Sequence, residues 1–178
     1  MSVAKISVMA TVVVVSASMN ANATSGNTIQ FIGEVSEQTC SVTVDGQSST
    51  PVVVLPNATA EELKALGDTA HLTRFTIGVT GCAAPVSVQN FKTLFVGNNL
   101  TVDGRLGNTG TAGNVTLQVV DPDASTIQLD LTGKGIPGLV LQAGETAASH
   151  DFAVQYYAEG RASGGSVLGS LQYAVSYL

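Results

Sequence analysis

The chain has 178 residues, of which 44% are hydrophobic and 11% charged, and its formal net charge is −6. This length is typical of one domain with a substantial core, and the acidic balance argues against a nucleic-acid partner. The 19 glycines and the many Val and Thr residues favour strands and turns over helices.

The first 23 residues have the pattern of a secretory signal peptide. Lys5 gives a short positive start, residues 6–18 are mostly apolar or small, and residues 21–23 offer a small-x-small cleavage site before Thr24. The stretch is too short to cross a membrane, and a buried N-terminal helix or strand is the alternative. We therefore expect a soluble, exported mature chain.

Two cysteines, Cys40 and Cys82, lie in the mature part of the chain. In an exported protein such a pair predicts a disulfide. The alternative is a metal or redox site, but the pair lacks a CxxC spacing and nearby histidines.

The first half of the mature chain contains several predicted elements. Residues 28–35 alternate, and residues 40–44 form a short strand that ends at the turn signal Asp45-Gly46. Residues 52–55 are apolar on both faces, which predicts a central strand. Residues 59–66 are the one helical candidate, because Thr59 and Glu62 make a capping box and Gly67 follows.

Short apolar strands continue through the second half. Residues 73–79 place Phe75, Ile77 and Val79 on one face, and further strands are predicted at 86–96, 115–120, 127–131, 139–141 and 152–157. Turn residues separate most of these segments. Together they predict an all-β sandwich.

The last stretch, residues 165–178, alternates with period two. One parity carries Val167, Gly169, Leu171, Tyr173, Val175 and Tyr177, whereas the other is mostly small or polar. This pattern predicts a half-buried strand at the end of the chain. An uncovered apolar edge of this length would invite pairing with another chain.

Four segments of the chain carry a resemblance to a known family. They are Phe31-Ile-Gly-Glu-Val35 before Cys40, Phe75-Thr-Ile-Gly-Val79 before Cys82, residues 114–121 followed by 152–157, and residues 165–177 with a penultimate tyrosine. In this order they resemble the chaperone–usher pilus subunits of Gram-negative bacteria, especially the type 1 fimbrial major subunit. The resemblance implies an incomplete immunoglobulin-like β-sandwich, the pilin fold, which lacks its seventh strand. It also implies a structural subunit of an extracellular fimbria that supports cell adhesion.

The resemblance further implies how such a subunit polymerises. Residues 24–35 would be a donor strand and residues 36–178 the pilin domain, and the donor strand of one copy would fill a groove in its neighbour. A periplasmic chaperone would fill that groove before assembly at an outer-membrane usher. The donor residues would be Ser25, Asn27, Ile29, Phe31 and Gly33.

The implied groove lies along the last strand. Its lining would be Val167, Gly169, Leu171, Tyr173, Val175 and Tyr177, and the chaperone would bind the carboxylate of Leu178. The strand that leaves Cys40 and the core beyond it would supply the opposite wall, and Gly169 would make room for Phe31. The family usually has Gly where Asn27 stands, so the register near Asn27 stays open. Without the resemblance, Tyr173 and Tyr177 also fit ordinary core aromatics of a closed sandwich.

Other classes of function have weaker support in the sequence. His71 and His150 lie in no catalytic motif, and Asp121, Asp123 and Asp130 lack the Gly and Glu of a calcium loop. We therefore expect no catalysis, no cofactor and no metal. The alternatives that remain are a minor or adaptor pilus subunit and a free-standing secreted immunoglobulin-like binding domain. A tip adhesin would need a separate lectin domain, for which this chain has no room.

Overall fold

The structure is a computed structural model, and it describes residues 40–49, 51–122 and 127–177. The predicted signal peptide at 1–23, the predicted donor strand at 24–35 and the terminal Leu178 lie outside the described residues. Within the described part, no helix has the length and apolarity needed to cross a lipid bilayer.

Nine strands form two antiparallel sheets in the described residues. The strands are β1 (Ser41–Val44), β2 (Thr69–Thr80), β3 (Gln89–Gly97), β4 (Leu106–Gly107), β5 (Val115–Asp121), β6 (Ile127–Gln128), β7 (Ile136–Leu141), β8 (Ala148–Ala158) and β9 (Leu171–Tyr177). The first sheet has the order β1-β2-β8-β5-β4, with β6 also paired to β5, and the second has the order β7-β3-β9. The prediction of an all-β sandwich is confirmed.

The two sheets meet in a core of aromatic and branched side chains. The ring of Phe95 in β3 lies edge-on to the ring of Phe152 in β8, with centroids 5.0 Å apart, and Phe75 in β2 packs on both rings. Ile77 and Val79 are also buried, as the alternation of residues 73–79 predicts. Each inward side chain fills the space between the sheets, and its polar neighbours face outward.

Two local predictions near the start of the domain are confirmed. The turn at Asp45-Gly46 has φ of 49° and 77°, and Val44 and Gln47 exchange two backbone hydrogen bonds of 2.9 Å across it. Positive φ at both central residues is the geometry that twisted hairpins prefer. Cys40 and Cys82 form a disulfide, which ties the start of the domain to the end of β2.

Two other predictions are wrong. Residues 52–55 are not a central strand, because no described backbone pairs with them, and the side chains of Val52 and Val54 are 73% and 79% exposed. Residues 59–66 form turns instead of a helix. The capping box itself is present, since the Thr59 amide donates to the Glu62 carboxylate at 2.7 Å and the Glu62 amide donates to Thr59 Oγ1 at 3.3 Å. The free energy needed to nucleate one helical turn is larger than the stabilisation that one capping box provides.

Some predicted strand boundaries also differ from the structure. The strand predicted at 86–96 begins at Gln89, the one predicted at 127–131 ends at Gln128, and the last strand begins at Leu171. The residues before β9 keep an extended path, but they lie against a loop and not against a strand.

The sandwich has two ends, which β3 connects. At the disulfide end, Cys40, Cys82 and the end of β9 come together, and the Tyr177 hydroxyl lies 4.0 Å from Cys40 Sγ. At the distal end, the turn after β3 lies near the end of β8. A strand of the length of β3 spans about 30 Å at roughly 3.3 Å per residue, so the two ends are well separated.

Candidate functional site

A groove lies on the side of the sandwich where β9 forms the edge of its sheet. It consists of two adjoining cavities of about 390 and 490 Å³, which share Val53, Leu55, Leu117 and Val167. None of the side chains that line the two cavities is charged. The groove is therefore elongated and uncharged, and its apolar part is the cavity of about 390 Å³.

The floor of the first cavity is the core of the sandwich itself. Its apolar lining comes from both sheets and includes Val44, Phe75, Ile77, Phe95, Leu106, Leu117, Val119 and Val154. A segment that entered this cavity would place its inward side chains directly against the core. Occupying the groove would thus extend the hydrophobic core rather than cover a surface.

One wall of the groove is the segment that leads into β9. Its even-numbered residues bond to neighbouring loops: the Leu168 amide donates to Asn108 Oδ1 at 2.8 Å, and the Asn98 amide donates to the Ser170 carbonyl at 3.1 Å. The Ser166 amide likewise donates to Thr111 Oγ1 at 2.9 Å. These bonds all lie on the side of the segment that faces away from the groove.

The odd-numbered residues of this wall present their backbone to the groove. Since Asn98 and Ser170 are a hydrogen-bonded pair, the alternation of an antiparallel ladder makes Gln172 and Ala174 the bonded residues of β9. The amides and carbonyls of Leu171, Tyr173 and Val175 therefore point to the opposite edge. Among the described residues, no backbone hydrogen bond to Val167 or Gly169 exists either. Within the described part of the chain, this wall is therefore a strand edge without a backbone partner.

The other wall is the segment 51–58. Val53, Leu55 and Ala58 pack against the core, yet no backbone–backbone hydrogen bond within the described residues involves this segment. It is held instead by packing and by the Tyr156 hydroxyl, which donates to the Pro56 carbonyl at 3.0 Å. As far as the structure describes the chain, the groove thus has backbone without a partner on both sides, with room for a strand between them.

The residues predicted from the alternation of β9 occupy this site unevenly. Val167, Gly169, Leu171 and Tyr173 line the first cavity, and Val175 packs against the core beyond it. Tyr177 lies outside both cavities, because its ring stacks on Phe91 at the disulfide end with centroids 4.8 Å apart. Leu178 lies outside the described residues.

Gly169 is required by its neighbours within the same chain. A Cβ at this position would lie 2.9 Å from Leu117 Cδ1 and 3.6 Å from Leu106 Cβ. Glycine therefore lets the wall approach the floor of the groove. The segment that fills the groove decides which side chain, such as that of Phe31, lies beside Gly169.

The sequence did not predict one wall of the groove or the part of the groove that lies toward the distal end. The opposite wall was expected from the strand that leaves Cys40 and from the core beyond it. Val44 of that strand and core residues such as Phe75 and Ile77 do line the groove, but the segment 51–58 forms most of the wall. A signal was available in residues 52–55, because a run that is apolar on both faces also fits a segment that awaits a partner strand.

The histidines and acidic residues do not assemble into a second site. His71 lies at a bulge in β2, 3.4 Å from Glu62, and His150 lies 3.8 Å from Asp121, so each faces a different carboxylate. Among the described residues, no three metal-binding side chains come together. Asp123 lies outside the described residues.

In the residues that the structure describes, the fold is a two-sheet antiparallel sandwich with one disulfide and an apolar groove beside β9. Comparison with known proteins identifies the family. The family model described as "Fimbrial protein" matches residues 29–177. The F17 fimbrial protein of Escherichia coli is 31% identical over 175 residues, which cover 93% of this chain and 94% of that protein. The major fimbrial subunit SMF-1 of Stenotrophomonas maltophilia (strain K279a) is 31% identical over 171 residues, with coverage of 90% and 97%.

Two solved structures share the fold at low sequence identity. The P pilus rod subunit PapA has a TM-score of 0.57 and 12% identity, and the match covers 78% of this chain and 99% of that one. A chaperone–usher pilus structure, solved to explain rod uncoiling, has a TM-score of 0.56 and 14% identity, with coverage of 85% and 94%. The chain belongs to the fimbrial protein family. It is a structural pilus subunit, and it most resembles the major subunits.

Proposed function

We propose that this subunit polymerises by donor-strand complementation, in which residues 24–35 of one copy fill the groove of the next. The observation that carries the proposal is a pair of backbone edges that no other described residue pairs with, at residues 167–175 and at residues 51–58, on either side of an apolar floor. A strand placed there would bond to both walls and would complete the sandwich.

The composition of the donor segment fits the groove. Residues 24–33 carry no charge, as the groove lining carries none, and the first charged residue is Glu34. Ile29 and Phe31 would enter the apolar cavity, where full burial contributes roughly 1.5–3 kcal/mol for each side chain. Ser25, Asn27 and Gly33 share their parity and would occupy the flanking positions.

The position of Cys40 determines the direction of the donor strand. The donor segment joins its own domain at the disulfide end, where Cys40 lies. If the donor runs antiparallel to β9, its C-terminal end reaches the distal end of the accepting copy, and subunits stack head to tail. If the donor ran parallel, its C-terminal end would lie at the disulfide end of the accepting copy. Both neighbours of each subunit would then have to pack against that same end. A linear fibre therefore requires the antiparallel direction.

The same groove accounts for the remaining partners in this proposal. An apolar groove with open strand edges invites pairing with other chains, so a periplasmic chaperone occupies it and binds the carboxylate of Leu178 before an outer-membrane usher exchanges the chaperone for the next donor. Residues 1–23 direct the chain into export and are then removed. The finished fibre lies outside the cell and supports adhesion, without a catalytic step or cofactor.

We propose a major subunit over a minor or adaptor subunit. The match to the SMF-1 major subunit covers 90% of this chain and 97% of that protein, whereas the match to HifD of Haemophilus influenzae, a minor fimbrial subunit, covers 84% of this chain and 73% of that protein. Electron microscopy of cells that lack the gene distinguishes the two roles. Loss of all fibres supports a major subunit, and fewer or shorter fibres support an adaptor. A free-standing binding domain would leave the fibres unchanged.

A peptide experiment tests the proposed mechanism. A variant that lacks residues 24–35 is mixed with a synthetic peptide of residues 24–35, and thermal unfolding is followed. The peptide should stabilise the variant by about 2.7 kcal/mol at a hundredfold excess over its dissociation constant. A Phe31→Asp peptide should not, because it would bury an unpaired charge. Equal stabilisation by both peptides would contradict the proposal.

A further inference from the structure

The turn that follows one wall of the groove is joined to the first sheet by a histidine. Glu62 lies in this turn, shortly after the wall at residues 51–58, and its Oε2 atom accepts hydrogen bonds from the Thr59 amide at 2.7 Å and from Thr59 Oγ1 at 2.8 Å. Its second oxygen, Oε1, lies 3.4 Å from Nε2 of His71 in β2. One carboxylate therefore links the end of the wall to β2.

The backbone of β2 directs the His71 side chain toward this carboxylate. The pairing of β2 with β8 is interrupted by a bulge between Ala70 and Thr73, and His71 has a φ of 54°. The Thr73 hydroxyl donates to the His71 carbonyl at 3.0 Å, which holds the bulge. A bulge re-aims a side chain, and a positive φ is uncommon outside glycine. The position of His71 is therefore set by the surrounding fold and not by local preference.

His71 also contacts the residue that holds the middle of the wall. Its ring lies edge-on to the ring of Tyr156, with centroids 6.4 Å apart, and the Tyr156 hydroxyl donates to the Pro56 carbonyl. Leu63, the residue after Glu62, is buried and lines the cavity of about 490 Å³. A shift of His71 relative to Glu62 would thus change the shape of the groove.

The free nitrogen of His71 is placed to take up a proton. In the described part of the chain, His71 Nε2 is buried without a hydrogen bond. Hydrogen bonds from the amide and the hydroxyl of Thr59 lower the pKa of Glu62, so this carboxylate stays charged in mildly acidic solution. Histidine is the side chain that ordinarily changes its charge between pH 5 and pH 8. Protonation would let Nε2–H donate to Glu62 Oε1 and would turn a neutral contact into an ion pair.

The other titratable groups near this pair do not compete for it. Within the described residues, His71 faces Glu62 from the turn and Tyr156 from β8. Burial raises the pKa of Tyr156, so its hydroxyl stays neutral. The remaining charged side chains of the turn are bonded to other residues or exposed to solvent; they are Glu61, Lys64 and Asp68.

We infer that His71 is a positioning residue for the groove and makes retention of the donor strand depend on pH. In mildly acidic solution the protonated His71 binds Glu62 and holds the wall at residues 51–58 close to the core. A wall that is already held in place loses less freedom when a strand binds, so the strand is retained more tightly. The inference rests on the proposed donor-strand assembly and assigns a regulator to the same groove.

The pH dependence of fibre dissociation tests this role. Fibres are sheared from cells that produce the full-length variants, and their dissociation in denaturant is followed at pH 7.5 and pH 5.5. The ratio of the rate at pH 7.5 to the rate at pH 5.5 should be about threefold larger for the wild type than for His71→Asn. Asn tolerates a positive φ but takes up no proton. Equal ratios for the wild type and His71→Asn would overturn the inference.

Two further variants test the partner and the choice of histidine. Glu62→Gln removes the charge but keeps an acceptor for the Thr59 amide, so it should lower the ratio as much as His71→Asn does. His150→Gln removes the other histidine of the chain and should keep the wild-type ratio. A wild-type ratio in Glu62→Gln, or a ratio lowered in His150→Gln alone, would also overturn the inference.

Failure of this inference can be separated from failure of the proposed assembly. The peptide of residues 24–35 should stabilise the variant that lacks this segment at both pH values, because the groove is present at both. Stabilisation at both pH values together with equal fibre ratios rejects the role of His71 and leaves donor-strand assembly intact. Absence of stabilisation at either pH rejects the assembly itself.

Discussion

The Tyr156 hydroxyl donates a hydrogen bond of 3.0 Å to the carbonyl of Pro56 and so joins the central strand β8 to the wall of the groove. Burial raises the pKa of Tyr156, which keeps its hydroxyl protonated as a donor. The wall at residues 51–58 has no backbone pairing within the described residues. This one bond therefore limits how far the wall can move from the core.

Removing that bond should loosen the groove. Tyr156→Phe should lower the free energy of unfolding by about 1 kcal/mol and weaken binding of the peptide of residues 24–35. Tyr157→Phe is the matched control, since it removes a hydroxyl from the next residue and leaves the wall untouched. Denaturant unfolding and peptide titration measure the two effects. A larger loss of peptide affinity in the control would contradict the role assigned to Tyr156.

The glycine at position 169 should be intolerant of a side chain. Gly169→Ala places a Cβ 2.9 Å from Leu117 Cδ1, and such overpacking typically costs about 1–3 kcal/mol. Gly164→Ala, in the same wall, is the control, because a Cβ there meets nothing within 4 Å. Thermal unfolding and peptide binding of the two variants decide the matter. The prediction is wrong if Gly169→Ala and Gly164→Ala have the same thermal stability and the same peptide affinity.

The disulfide should supply a large share of the stability. Replacing Cys40 and Cys82 by Ser opens a cross-link with a sequence separation of 42 residues. On the chain-entropy model, this loss lowers the free energy of unfolding by about 4 kcal/mol. Denaturant unfolding of the oxidised wild type, the reduced wild type and the double variant measures it. An unchanged denaturation midpoint in the reduced wild type or in the double variant would rule out a stabilising disulfide.

The ion pair between Arg105 and Glu159, which are 2.8 Å apart, should make the free energy of unfolding depend on pH. The hydrogen bond from Arg105 holds the pKa of Glu159 below its usual value. A lowered folded-state pKa contributes stability above the unfolded value of about 4.3, and this contribution is lost as the pH falls through the folded value.

A variant isolates the contribution of this carboxylate. Glu159→Gln cannot ionise, so its free energy of unfolding should change less between pH 6 and pH 3 than that of the wild type. Glu61→Gln, at an exposed ion pair with Arg161, is the control and should follow the wild type. An identical acid dependence in Glu159→Gln and the wild type would contradict the assignment.

A cross-link should report the direction and register of the donor strand. If Phe31 lies opposite Gly169 in an antiparallel pair, then Gln30 lies opposite Ser170, and both side chains face outward. Gln30→Cys with Ser170→Cys should give disulfide-linked chains in oxidised fibres, because Cβ atoms are closest at such non-hydrogen-bonded pairs. Gln30→Cys with Ala174→Cys is the control. Linkage of the control pair alone would refute this register.

Alternation predicted most of the fold but not the groove. Phe75, Ile77 and Val79 lie inward because period two fixes the face of a strand once its neighbours exist. Residues 52–55 have strong strand propensity and still form no strand, since a strand needs a backbone partner. The helix predicted at 59–66 failed for a related reason, because Leu63 is buried while Leu66 faces solvent. Local pattern describes what a segment can form, and tertiary pairing decides whether it does.

The sequence located one wall of the site more reliably than the rest. Leu171, Tyr173 and Val175 all face the core, as the alternation of the last strand predicts. Tyr177 shares their parity but stacks on Phe91 at the disulfide end. The second wall could not be found by alternation, because it depends on packing between segments that are distant in the chain.

Residue-resolved amide hydrogen exchange along β9 tests the central claim most directly. In a monomer that lacks residues 24–35, the amides of Gln172 and Ala174 should be protected by β3, whereas those of Leu171, Tyr173 and Val175 should exchange freely. In the fibre, or with the peptide of residues 24–35 bound, all five should be protected. Protection of the odd-numbered amides in the empty monomer, or their free exchange in the fibre, would contradict strand addition at this edge.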